Sequence, residues 1–247
     1  MIDVERFEKV KNSIVGCDRQ RPTIGTLSEK TVHVILKNYY EPDEDKQEIP
    51  VDGYVADIYR GDEIVEIQTR QFNKLRGKLD TFLPNYAVTV VYPIPYEKWI
   101  IWIDEETGEL SQRRKSPAKG NPYMAFAELY KIKMYLDNPN LRIRLVMMDI
   151  EEYKLLNGWS RDRKKGSTRF DRIPLCLREE IDITCTRDYM QFIPIELEEP
   201  FTVKQYAKAV HIPARLAGTV VNILKHLEII DFVGKSGREY LYEVHES

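Results

Sequence analysis

The stretch Gly53 to Val91 constrains this chain more than any other. It reads strand, tight turn, strand, helix, strand, and its first half is GYVADIYRGDEIVEIQTR, with Arg60-Gly61-Asp62-Glu63 as the turn. A two-residue Gly-Asp loop suits a hairpin because Gly supplies positive φ and Asp tolerates it. With Gly61 and Asp62 central, Arg60 faces Glu63, Tyr59 faces Ile64, Ile58 faces Val65 and Asp57 faces Glu66. Gln68, two residues on, shares the face of Glu66, while Ala56, Ile58, Val65 and Ile67 form the apolar set behind the pair. Two carboxylates opposed at about 5 Å repel unless a cation lies between them. A nearby Lys or Arg is the plain solution. The sharper one is a divalent metal, since hard cations such as Mg²⁺ are held by one or two carboxylates plus water and phosphate oxygens.

A chain of 247 residues can hold one large domain or two smaller ones. Its net charge of −3 argues against a uniformly basic nucleic-acid coat, so charge has to be read locally. No apolar run reaches the roughly 20 residues of a membrane span and the N-terminus lacks a signal pattern, which leads to a cytoplasmic expectation. Cys17, Cys176 and Cys185 are odd in number and form no CxxC, so neither a disulfide framework nor a zinc knuckle is expected. P-loop, GxGxxG and GxSxG motifs are absent from the sequence, leaving nucleotide hydrolysis, dinucleotide redox chemistry and the usual serine hydrolase unsupported.

Taken in order, residues 3 to 14 carry Val4, Phe7, Val10 and Ile14 at helical spacing, and a second helix opens near Thr26-Leu27-Ser28-Glu29. The run EPDEDKQE (41 to 48) reads as a solvated acidic loop, with a short strand at 47 to 51. After the hairpin, Phe72, Leu75, Leu79, Phe82 and Leu83 form the buried stripe of a helix that also carries Lys74, Arg76 and Lys78. AVTVVYPI reads as an internal strand, KWIIWID as another, and QRRKSPAKG as an exposed basic loop. A helix from about Pro122 to Leu136 and a strand from 141 to 150 follow. His33, His211 and His226 have no partner at metal spacing and read as core or surface residues.

Asp57, then Glu66-x-Gln68 after a short turn, then a basic helix and an apolar strand, resembles the core of the PD-(D/E)xK nuclease superfamily, the restriction-endonuclease-like fold, over residues 24 to 93. The resemblance implies an α/β fold with a central mixed sheet flanked by helices, spanning residues 1 to 150. It implies Asp57 and Glu66 as ligands of Mg²⁺ or Mn²⁺, and Gln68 in the place of the family's water-activating Lys. By position Glu29 would support the metal site; the alternative is that it complements a helix dipole. Arg70 and Lys74 stand where they could hold a phosphodiester backbone.

Residues 151 to 197 read as a basic connector in which Arg161, Arg163, Lys164, Lys165, Arg169 and Arg172 are flanked by Trp159 and Phe170, a mixture suited to nucleic acid. Residues 198 to 247 resemble a winged helix-turn-helix domain, which implies Arg215, Thr219, Asn222 and Lys225 on a recognition helix and Lys235 and Arg238 on the wing. That module carries 6 basic against 5 acidic residues in 201 to 247, so protein docking stays open beside DNA binding. The expected function is a metal-dependent DNA endonuclease hydrolysing phosphodiester bonds. The alternative is a non-catalytic DNA-binding or protein-docking regulator on the same fold. DNA is the expected partner, a membrane is not, and a homodimer stays open.

Overall fold

The computed structural model describes residues 2–18, 31–156 and 168–245. It is a mixed α/β protein with a large mixed sheet flanked by helices. Helices α1 (Val4–Asp18) and α2 (Thr31–Tyr40) precede a seven-stranded sheet ordered β1-β2-β3-β4-β6-β7, with a short β5 on β4. The strands are β1 (Gln47–Val51), β2 (Tyr54–Tyr59), β3 (Glu63–Ile67), β4 (Ala87–Ile103), β5 (Arg114–Lys115), β6 (Leu141–Leu155) and β7 (Thr168–Ile183). Strands β1, β2 and β3 are antiparallel neighbours, β3, β4 and β6 are parallel, and β7 returns antiparallel to β6.

The hairpin forms in the register that its turn dictates. Gly61 has φ +90°, Arg60 N–H donates to the Glu63 carbonyl at 2.9 Å, and Ile58 pairs with Val65 and Tyr59 with Ile64. Ile58, Val65 and Ile67 then bury on the side of α1 and α2, with Phe7, Ile35, Leu36 and Val91. The other side of the sheet packs Ile64 and Val90 against Phe72, Leu79, Phe82, Phe126 and Leu129. A 3-10 turn, Phe72–Leu75, leads into helix α3 (Arg76–Phe82), which carries the chain from β3 to β4.

Four expectations change. Strand β4 does not end at Ile94 but runs on to Ile103, in register with β6 through Pro93 and Pro95 and with a register shift only between Pro95 and Lys98. KWIIWI is therefore its second half. The helix expected from Pro122 to Leu136 is a broken series: 3-10 at Pro122–Ala125, α4 at Phe126–Leu129 and 3-10 at Tyr130–Tyr135, with Ile132 at φ −119°. Residues 168–183, placed in a connector by the sequence reading, form β7 and complete the sheet. Finally, the basic loop is exposed as expected, but cations in it are paired: Arg113 meets Glu151 at 2.8 Å and lies over the Trp99 ring, and Lys115 meets Glu97 at 2.8 Å. Gly120 closes that loop against β4, where a Cβ would fall 1.9 Å from the Pro95 carbonyl oxygen.

The C-terminal helices α5 (Val203–Ala209) and α6 (Ala214–His226) and the hairpin β8 (Ile230–Ser236) and β9 (Glu239–Val244) follow a 3-10 segment, Thr186–Phe192. A reciprocal capping box between Thr202 and Gln205 starts α5. Tyr206, Ala217, Ile223 and Leu224 belong to the same buried cluster as Phe126, Tyr189 and Phe192. The Tyr206 hydroxyl donates to the Phe192 carbonyl at 2.7 Å.

Candidate functional site

Asp57 and Glu66 lie on neighbouring strands β2 and β3, one position beyond the Ile58–Val65 pair, and sense each other's charge. Asp57 Oδ2 accepts from the backbone N–H of Ile67 at 2.7 Å and lies 3.1 Å from His33 Nε2 on α2. Those contacts, the His33 hydrogen bond first among them, outweigh burial and hold the Asp57 carboxyl below its ordinary value.

Glu66 is in a different situation. Its side chain is only 3% exposed, and Oε2 accepts from Lys78 Nζ of α3 at 2.6 Å. Lys78 Nζ also donates to the Val55 carbonyl at 2.7 Å. Glu66 Oε1 is buried with no hydrogen-bond partner. Burial first, and the Asp57 charge second, push the Glu66 carboxyl up to about 7 despite Lys78. Desolvation wins because taking a carboxylate out of water costs several kcal/mol, which one ammonium does not fully return. The two acids are thus held together with one carboxyl depressed and the other raised, the pattern that separates acid and base roles in hydrolytic sites.

Gln68 leaves β3 on a backbone bond to Val91 (2.9 Å), and its side-chain amide donates to the Arg70 carbonyl. Arg70 and Lys74 are exposed, and Arg76 binds the Lys131 carbonyl at 2.8 Å through Nε. The cation beside the acids is Lys78, one helical turn past Lys74. Glu29, Arg161, Arg163, Lys164 and Lys165 lie outside the described residues. Among the described residues no group of three or more His, Cys, Asp or Glu is placed to hold a metal. Arg215, Lys225, Lys235 and Arg238 are exposed, Lys225 over the Phe232 ring and Lys235 over Tyr240. Thr219 bonds back to the Arg215 carbonyl, and Asn222 accepts from Lys133 Nζ at 3.1 Å, so one end of that helix face is engaged by the sheet domain. Sequence reasoning missed His33 as a partner of Asp57, because its position 24 residues upstream becomes meaningful only when α2 packs beside the hairpin.

Fold and site together define an α/β protein with a mixed sheet and a paired carboxylate at its antiparallel hairpin. The chain belongs to the family described as a domain of unknown function, DUF8091, which matches residues 30–184. That span holds His33, Asp57, Glu66, Gln68 and Lys78 and ends with β7. The chain is also similar to an uncharacterized protein of Treponema pallidum (strain Nichols), 29% identical over 168 residues, which is 68% of this chain and 64% of the relative. The match therefore spans less than two thirds of that relative's length. No solved structure matches the chain. Among the described residues, no helix is long and apolar enough to cross a membrane.

Proposed function

We propose that this protein is a metal-dependent phosphodiester hydrolase of the restriction-endonuclease-like type, acting on DNA, with Asp57 and Glu66 as the residues that hold Mg²⁺ or Mn²⁺. The observation that carries the reading is the buried, unpartnered Glu66 Oε1 beside Asp57. A buried polar atom without a partner costs free energy, and a cation binding there recovers it. The donor set fits a hard ion that keeps water and phosphate oxygens as its remaining ligands. When bound, such an ion polarises phosphate and lowers the pKa of its water.

The chain's own groups then have distinct tasks. The Ile67 N–H and His33 fix the Asp57 carboxylate in one orientation. Lys78, held by Glu66 and the Val55 carbonyl, brings a positive charge to the acids, the task that Gln68 cannot perform. Arg70, Lys74 and the C-terminal unit, a winged helix on this reading, would hold the polynucleotide backbone.

A specific observation favours a second reading, a non-catalytic binder on the same frame: the Gln68 amide is spent on the Arg70 carbonyl. Plasmid cleavage with Mg²⁺ or Mn²⁺ decides between them. Cutting by the wild type that is lost in Asp57→Ala and Glu66→Ala supports the hydrolase. DNA retention without cutting in either metal supports the binder.

A further inference from the structure

A second charged centre lies on the distal half of the sheet, on the α2 side. Glu152 of β6 is 2% exposed, and four cations surround it: Arg172 at 2.8 Å, Arg169 and Lys154 at 3.4 Å, and Lys98 at 3.7 Å. Both arginines meet Glu152 through Nε, and among the described residues their terminal amino groups have no other acceptor. Arg169 and Arg172 line a recess together with Thr69, Asp171, Val32, Pro93, Pro95, Met148 and Ile150. Asp171, also in that recess, accepts from Thr31.

Four basic against two acidic side chains leave an excess of positive charge in a half-buried place. Burial, and then the Arg172 charge, depress the basicity of Arg169, with Arg70 adding to the repulsion. Lys98 is lowered likewise, by burial and by the positive charge of Arg172, Lys154 and Arg169, against the pull of Glu152. Cations crowded this way gain from an anion, and guanidinium groups offer paired donors matched to a tetrahedral oxyanion. The recess also adjoins the carboxylate pair in sequence terms: Val32 precedes His33, and Thr69 follows Gln68.

We propose that this recess is a phosphate-binding site, in which the terminal amino groups of Arg169 and Arg172 hold a phosphoryl oxyanion and Lys98 and Lys154 supply its long-range attraction. The ligand is a phosphate group, free or carried on a polynucleotide. Phosphate binding there does not require a metal at Asp57 and Glu66.

Inorganic phosphate is the first probe, measured by thermal shift and calorimetry on the full chain against chloride at equal ionic strength. Phosphate is expected to raise Tm, and Asp57→Ala is expected to keep that response. Arg169→Gln/Arg172→Gln is expected to weaken phosphate affinity by about tenfold or more. Because that variant also strips partners from Glu152, Glu152→Gln provides an independent arm. Freed of its buried competitor, it is expected to bind phosphate about tenfold tighter and to have a larger share of its Tm restored by phosphate. A merely structural ion-pair network predicts no such gain. Competition separates the sources: a single-stranded oligonucleotide that displaces phosphate points to the polymer, and a failure to displace it points to a free phosphate. An equal response to phosphate and chloride in the wild type, or unaltered affinity in both variants, overturns the proposal.

Discussion

Lys78 Nζ lies 2.6 Å from Glu66 Oε2, and this bond ties helix α3 to the hairpin at a carboxylate that is otherwise cut off from water. Its removal strands a buried charge. Lys78→Met is expected to cost about 3 kcal/mol at pH about 8, the lower end of what breaking a buried pair from one side costs. The loss should shrink toward pH about 5 as Glu66 takes up a proton. Urea denaturation at the two pH values measures both.

Glu66 itself sets a pH dependence. Its carboxyl is raised from 4.5 to about 7 in the folded protein, so in that window the native state holds a proton that the unfolded chain has released. Stability therefore falls as pH rises through the window; the cost is complete above it and absent below it. Glu66→Gln, a mimic of the protonated form, is expected to have a higher urea midpoint than wild type at pH about 8, and the gap should close at pH about 4. An equal midpoint at the higher pH would mean that Lys78 fully compensates the buried charge.

The proposed cation binding at the hairpin would have a signature apart from catalysis. Mg²⁺ or Mn²⁺ at millimolar concentration is expected to raise Tm in the wild type, because a ligand of the native state alone stabilises it by mass action. Asp57→Asn and Glu66→Gln should each abolish the rise. The response should weaken as pH falls below about 7, where a proton competes for Glu66.

The C-terminal unit shares its core with the sheet. Tyr206→Phe removes the hydroxyl that the Phe192 carbonyl accepts, and it is expected to cost about 1 kcal/mol, more if that carbonyl finds no water. The packing of Tyr206 with Tyr123, 6.4 Å between ring centres, predicts that near-UV circular dichroism and tryptophan fluorescence report coincident unfolding transitions.

Local chemistry made the hairpin readable: a Gly-Asp turn has one natural register, which sets Tyr59 against Ile64 and Ile58 against Val65, with Asp57 and Glu66 one position beyond. The helix stripe of Phe72, Leu75, Leu79 and Phe82 was readable for the same reason. Choosing Lys78 over Lys74 was not, because the first turn is a 3-10 segment with about three residues per turn, which moves every later side chain off the ordinary helical phase. The His33 contact and the β7 pairing depend on packing between distant segments, for which the sequence carries no local signal. AVTVVYPI and KWIIWID read as two strands, and only their common pairing with β6, resumed after the register shift between Pro95 and Lys98, makes them one.

The close approach of Gly120 to the Pro95 carbonyl has its own consequence. Pro95 forms one wall of the cationic recess, and a bare stretch of main chain props it from behind. Behind that wall, residue 120 has no side chain whose trimming could give the Pro95 carbonyl more room. Even a single added methyl at position 120 must push the wall inward or lift the 112–120 loop away, so anion uptake and the seating of that loop should respond together to one substitution.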